Sequence, residues 1–372
     1  MIDDMPLLKY NSYDANDAND ANDASDASDA SDFSTPQGFS TPQGFNNSHT
    51  CHDSNEVLVD THLAATCLRT PRSEYNKYSR GVLGIVTGSQ EYPGAAILST
   101  RAAEYSNIGM VRYAGPLRAQ NLVLQSAPET VVCERLEGTV QAITVGSGIP
   151  DATHCNTDET KAQRDYISEI LAKYATNTES ANALPPICVD AGALDLLPKK
   201  VCTKVVITPH TGELCSVFQQ YGLAINAQQI ASNPVHYAQE AANLTGATVL
   251  LKGAKTVVAS PSNLHMPIYV AQYGPTWLAT AGSGDVLAGI LGALLAQQTA
   301  HCANYALVAA SAAVIHGIAA ILASYSCSDN NCTQIMQSMV KTEKPLMFEH
   351  PIVASDVITA LPHVFGMLIN LK

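Results

Sequence analysis

The 372-residue chain predicts an α/β fold: a mostly parallel sheet with helices packed on both faces. Three observations carry that prediction. Apolar runs of four to eight residues, rich in β-branched side chains, alternate with helical stretches of ten or more, which is the pattern of βαβ units. With 46% hydrophobic and only 14% charged residues, there is material for a large core. The apolar runs also end in Gly88, Gly148, Asp190, His210 and Lys252. In parallel sheets ligands sit at the carboxyl ends of the strands, so these endings point to an enzyme site more than to a binding surface.

The chain starts with a segment of another kind. Residues 1–60 hold 12 acidic side chains and one base, a net of -11 out of the total of -13. The other 312 residues carry 21 acids and 19 bases, a net of -2. From Asp14 to Asp32 an aspartate recurs every third residue, and a Ser-Thr-Pro-Gln-Gly-Phe unit is used twice between 34 and 45. Such a segment cannot bury enough apolar surface to offset the entropy of ordering, so a disordered acidic tail is expected over 1–60. A period of three with no turn glycine does not match a calcium loop. The charge balance leaves no basic patch for nucleic acid. The start has no basic region followed by an apolar core, so no secretory signal is expected there. Ten cysteines without a C-x-x-C pair show no zinc spacing and are expected as free thiols in a reducing cytoplasm.

From residue 61 onward the elements follow in order. Gly81–Gly88 is a buried strand closing in Gly88-Ser89, and Gly94–Tyr105 has helical composition. Val111–Tyr113 and Thr130–Cys133 are short strands, and Val140–Val145 is a stronger one running into Gly146 and Gly148. Lys161–Tyr174 is an amphipathic helix. Pro186–Asp190 and Lys204–Thr208 are strands ending in Asp190 and Pro209-His210. A helical stretch, Asn226–Leu244, leads to the strand Thr248–Lys252, and two long helices, Asp285–Gln298 and Tyr305–Ser324, follow. The last is about long enough to span a bilayer. Its richness in Ala and Ser, its mid-run His316 and its lack of basic flanks favour a helix buried in a large α/β domain.

The sharpest local signal is Ala281-Gly282-Ser283-Gly284-Asp285 at the head of an apolar helix. Glycines there let a ligand approach the backbone, and free N–H groups with the helix dipole make an anion site. Asp285 has two readings: an ordinary first-turn acid favoured by the dipole, or a general base that takes a proton from a substrate hydroxyl. Lys252 at a strand end either meets a phosphate or is a turn lysine. His210, in Thr208-Pro209-His210-Thr211-Gly212-Glu213, is either a substrate-contacting imidazole or a plain loop histidine. Neither G-x-x-x-x-G-K-[ST] nor G-x-G-x-x-G after a strand is present.

As an ordered set these segments resemble the ADP/ATP-dependent NAD(P)H-hydrate dehydratase family, which has the ribokinase-like fold. The correspondence covers about residues 75–365: GIVTGSQEYPGAAILSTRAAEY, VGSGIP (145–150), PICVDAGALDLL (186–197), VVITPHTGEL (205–214), LLKGAKTVVASP (250–261) and LATAGSGDVLAGILGALLAQ (278–297). The resemblance implies that Ala95, Gly148, His210 and Asp285 contact the hydrated nicotinamide nucleotide. It implies that Lys252, Gly253, Ala254, Lys255 and Thr256, with Gly284, hold the adenine nucleotide. Ala281, Gly282, Ser283 and Gly284 would form the anion hole, and Asp285 would activate the hydroxyl. The implied activity is ADP-dependent conversion of (6S)-NADHX and (6S)-NADPHX back to NADH and NADPH, with Mg²⁺ on the diphosphate. A cytoplasmic homo-oligomer, a tetramer, is implied as well.

Three departures stand out. Ser283 replaces the commoner threonine but keeps the hydroxyl, the glycine turn reads Ser147-Gly148-Ile149-Pro150, and Ala191-Gly192 follow Asp190. Residues 325–350 read as an insertion in one catalytic domain spanning 61–372. The residues before the match leave no room for the epimerase domain that many relatives carry, so any epimerase is expected as a separate chain. A small-molecule kinase of the same fold would share the anion hole, and a catalytically idle nucleotide-binding protein is the third reading.

Overall fold

The computed structural model describes residues 55–176, 183–298, 304–325 and 349–372. Most of the expected tail and of the expected insertion lies outside the described residues. The described residues belong to one compact unit. Its strands are β1 (Glu56–Leu58), β2 (Val82–Val86), β3 (Met110–Ala114), β4 (Val131–Cys133), β5 (Ala142–Val145), β6 (Ile187–Val189), β7 (Val205–Ile207), β8 (Thr248–Leu251), β9 (Thr256–Ala259) and β10 (Ile268–Ala271). They form one sheet in the order β1-β10-β9-β8-β7-β6-β5-β2-β3-β4. All neighbours are parallel except β8–β9 and β9–β10. Strands β2, β5, β6, β7 and β8 are buried along their whole length. Covered on both faces, they read in sequence as continuous apolar runs rather than alternating ones.

The helices are α1 (Thr61–Thr66), α2 (Gly94–Glu104), α3 (Leu117–Ser126), α4 (Asp158–Ala172), α5 (Thr211–Gln220), α6 (Ala227–Ser232), α7 (Pro234–Thr245), α8 (Ser283–Ala296), α9 (Tyr305–Ser324) and α10 (Ala354–Ile369). Two apolar clusters result, one on each face of the sheet. The first holds α1, α2, α3, α8, α9 and α10, and the second holds α4, α5, α6 and α7. Helix α9 is long and apolar enough to cross a membrane, but 83% of its most apolar window is buried within the protein. It is a core helix, as its Ala- and Ser-rich composition suggests.

Two expectations are corrected. The helix expected over Asn226–Leu244 is two helices, because Asn233 caps a new start and Pro234 occupies its first turn. A proline there lacks the N–H that would continue α6 but suits a helix start. The tail boundary at residue 60 is also too late. Glu56–Leu58 pair with Ile268–Val270, and the Val59 N–H donates to the Val270 carbonyl at 2.9 Å. Asp60 caps α1, accepting from the Leu63 N–H at 2.8 Å. Local composition misses this because the partner strand lies far along the chain.

Candidate active site

Parallel strands deliver their carboxyl ends to one edge of the sheet, and the strand-end residues meet there. Asp190, just past β6, is only 2% exposed. Its Oδ2 accepts from Ser147 Oγ at 2.8 Å, and its Oδ1 accepts from Thr208 Oγ1 and Lys252 Nζ, both at 2.8 Å. The donors follow β5, β7 and β8, so one carboxylate ties four strand ends together. Burial alone would push the Asp190 carboxyl up, but the Lys252 charge and the three donors hold it below the usual carboxylate range. Burial works against the Lys252 ammonium too. Asp190 and the Glu213 carboxylate, 3.4 Å away, outweigh it and keep the lysine charged.

His210 follows β7 and caps α5. Its Nδ1 accepts from the Gly212 and Glu213 N–H groups at 3.0 and 3.2 Å, and the Glu213 carboxylate accepts from the His210 N–H at 2.7 Å. With Nδ1 accepting, the neutral ring carries its proton on Nε2, which stands 3.6 Å from Glu213 Oε1. The histidine thus has a structural task as well as a place at the sheet's edge.

Helix α8 begins at Gly282, whose φ of 85° is left-handed. A side chain there would be strained and would also run into Leu98. The Ser283 N–H donates back to the Thr280 carbonyl at 3.3 Å, and the Gly284 and Asp285 N–H groups follow in the first turn, at the positive end of α8. A Cβ on Gly284 would stand 3.6 Å from Lys252 Nζ, so the lysine and the helix start face each other. Asp285, half-buried in the first turn, has its pKa pushed up to about 7 by burial and the Asp190 charge, with Lys252 opposing.

Two clefts flank this edge. One, of about 650 Å³, is lined by Lys252, Gly253, Ala254, Thr256, Ser283 and Gly284, and on its apolar side by Tyr273, Pro275, Leu278 and Leu287. The other, of about 500 Å³, is lined by Tyr92, Ile149, Pro150, Asp151, Gly192 and Asp195. His210 lines both. Ala95 and Gly148 pack on each other beside the Tyr92 carbonyl.

Lys255 is the exception among the expected nucleotide residues. It does not line the larger cleft, and its Nζ pairs with Glu56 of β1 at 3.3 Å. Sequence reasoning also missed Ser147, Thr208, Glu213 and Arg164. The buried Arg164 guanidinium grips Asp195 at 2.8 and 2.9 Å and donates to the Pro150 and Gly192 carbonyls at 2.6 and 2.9 Å. It thereby stitches the turns after β5 and β6 into one wall. The only signal for Ser147 and Thr208 was their place at strand ends.

The model of a protein family described as NAD(P)H-hydrate dehydratase matches residues 83–340. The chain belongs to the NAD(P)H-hydrate dehydratase family. The matched span contains every residue of the edge just described, from Gly88 to Asp285. Among relatives in the NAD(P)H-hydrate dehydratase family, the ADP-dependent (S)-NAD(P)H-hydrate dehydratase of Neisseria meningitidis is 30% identical over 291 residues, 74% of this chain and 91% of that one. The bifunctional NAD(P)H-hydrate repair enzyme of Corynebacterium glutamicum is 36% identical over 283 residues, 68% of this chain. The chain spans 45% of the length of that bifunctional relative.

Solved structures show the same fold. The ADP/ATP-dependent NAD(P)H-hydrate dehydratase of Bacillus subtilis, co-crystallised with ATP and Mg²⁺, superposes with a TM-score of 0.60 at 22% identity, covering 82% of this chain and 96% of that one. A ribokinase-like protein of Enterococcus faecalis gives a TM-score of 0.62 at 18% identity, over 86% of this chain and 99% of that one. The ribokinase-like α/β architecture expected from the sequence is the one present.

Proposed function

We propose that this member of the NAD(P)H-hydrate dehydratase family restores NADH and NADPH from (6S)-NADHX and (6S)-NADPHX with ADP as phosphoryl donor. The observation that carries the reading is Asp285, a carboxylate with a pKa of about 7, at the start of an anion-binding helix that faces Lys252. A general base poised near neutral pH is what deprotonation of a ring hydroxyl requires. In this reading ADP lies in the larger cleft with its phosphates toward Lys252 and the Ser283-Gly284 turn. The nicotinamide ring lies on the side of Ala95, Gly148 and His210.

Asp285 takes the proton of the ring hydroxyl as its oxygen attacks the β-phosphorus, and AMP leaves. The α8 N–H groups and Lys252 hold the charge on the transferring group, so the protein supplies positioning and electrostatics. The C–O bond to phosphate then breaks with help from the ring nitrogen's electron pair. Loss of a proton from the neighbouring carbon re-forms the ring double bond.

Among the described residues no three His, Cys, Asp or Glu side chains could cage a metal ion. Glu213, which lines the smaller cleft, is a hard oxygen donor 3.4 Å from Lys252 of the larger one. That fits Mg²⁺ arriving with a diphosphate and held by one carboxylate, phosphate oxygens and water. Bound there it would neutralise diphosphate charge. Cytoplasmic location, a tetramer and a separate epimerase belong to the same reading.

The test mixes the protein with NADHX and Mg²⁺ and follows NADH absorbance with ADP, then with ATP. We expect recovery dependent on ADP, and a loss of about 10²- to 10⁴-fold in Asp285→Asn. Undiminished recovery in that variant removes Asp285 from the chemistry, and no recovery with either nucleotide refutes the dehydratase. Phosphate retained on a stable product, instead of released, would favour the kinase.

A further inference from the structure

His316 sits mid-way along α9 among Ala, Val and Ile, 6% exposed, yet it lines the larger cleft. Its Nε2 is buried and has no hydrogen-bond partner. Its polar neighbour is the main chain of Ser283, the residue that opens α8. The cleft wall is pressed onto α9 at this level, since Gly317 admits the Tyr273 backbone where any Cβ would collide. Burial pushes the imidazole pKa down to about 4, so near neutral pH the ring is uncharged, with one N–H and one bare nitrogen. An unpartnered polar atom inside an apolar helix destabilises the free protein, and leucine would fill the same position without that cost. The site therefore stores an unmet hydrogen bond on a residue that lines the space assigned to the nucleotide.

We propose that His316 binds the nucleoside diphosphate, its Nε2 hydrogen-bonding an oxygen of the ribose-phosphate portion at the junction of the Ser283-Gly284 turn and the apolar wall. The inference rests on the nucleotide reading of that cleft. It adds a contact from α9 to those expected from α8 and the β8–β9 turn.

The experiment measures Mg-ADP binding to the full chain by calorimetry, and thermal unfolding with and without Mg-ADP, for the wild type, His316→Leu and His316→Gln. We expect His316→Leu to raise the Kd for ADP roughly five- to tenfold, the worth of one hydrogen bond. Its ligand-free Tm should equal or exceed that of the wild type. His316→Gln, which keeps a donor, should recover part of the affinity. An unchanged Kd in His316→Leu overturns the proposal, and so does a ligand-free Tm that falls markedly or a variant that fails to fold, since either makes the residue structural. If the wild type binds neither ADP nor ATP, the nucleotide reading itself falls. Wild-type binding with unaffected variants strikes His316 alone.

Discussion

Asp190 and Asp285 are both withdrawn from water, and their surroundings set them apart. Asp190 has three donors, including an ammonium, and stays ionised. Asp285 lacks such a set, and burial together with the Asp190 charge lifts its pKa to about 7. Two carboxylates separated in this way are how one site holds both a fixed charge and a titrating base. As a base Asp285 acts only when ionised, so the rate is expected to rise through about pH 7 and level off above it. Asp190→Asn removes the charge that raises Asp285 and frees Lys252 to lower it. The rising limb should therefore move to lower pH while the maximal rate falls. A pH-rate profile checks this, and an unmoved limb would mean that Asp190 only holds the fold together. At this scale Asp285, Lys252 and His210 were legible because each stands in a recognisable segment at a strand or helix end. Glu213 and Arg164 were not, since ordinary charged residues acquire their roles only where separate turns converge.

At the scale of elements, most strands and long helices were legible, because periodicity is a local property of the chain. The expected Gly81–Gly88 and Thr248–Lys252 runs contain β2 and β8, and Tyr305–Ser324 is α9 to the residue. The β1–α1 entry was hidden by its composition. Glu56 and Asp60 count as tail acids in sequence, yet one pairs with Lys255 and the other caps α1. A chain starting at residue 61 is therefore expected to unfold at a lower temperature than one starting at 55. Asp60→Ala alone should cost about 1 kcal/mol, the usual worth of a helix cap. Denaturant melts of the three proteins decide it, and identical stabilities would show that β1 and its cap contribute nothing.

For the whole molecule, the order of strands predicts where it opens first. β5, β2, β6 and β7 are fully buried in the middle of the sheet, whereas β1 and β4 are short, partly exposed edges. Local opening draws on the regions with fewest buried contacts. Hydrogen exchange should be slowest in the four central strands and faster in β1 and β4. Equal protection of β4 and β5 would contradict this, and would point to a covered edge.

The amino-acid sequence by itself determined the class of fold, the strand ends as the place of the site, and the glycine-opened helix carrying Asp285. Each of these depends on residues near one another in the chain. Only the tertiary structure decided that Asp190 joins four strand ends, that Lys255 turns away to β1, and that Arg164 welds two turns. It alone also leaves the His316 Nε2 without a partner in a cleft wall. The physical reason is the parallel sheet: it brings distant turns to one edge, and there burial and charge, acting through space rather than along the chain, set which groups are paired, which titrate and which are left free for a ligand.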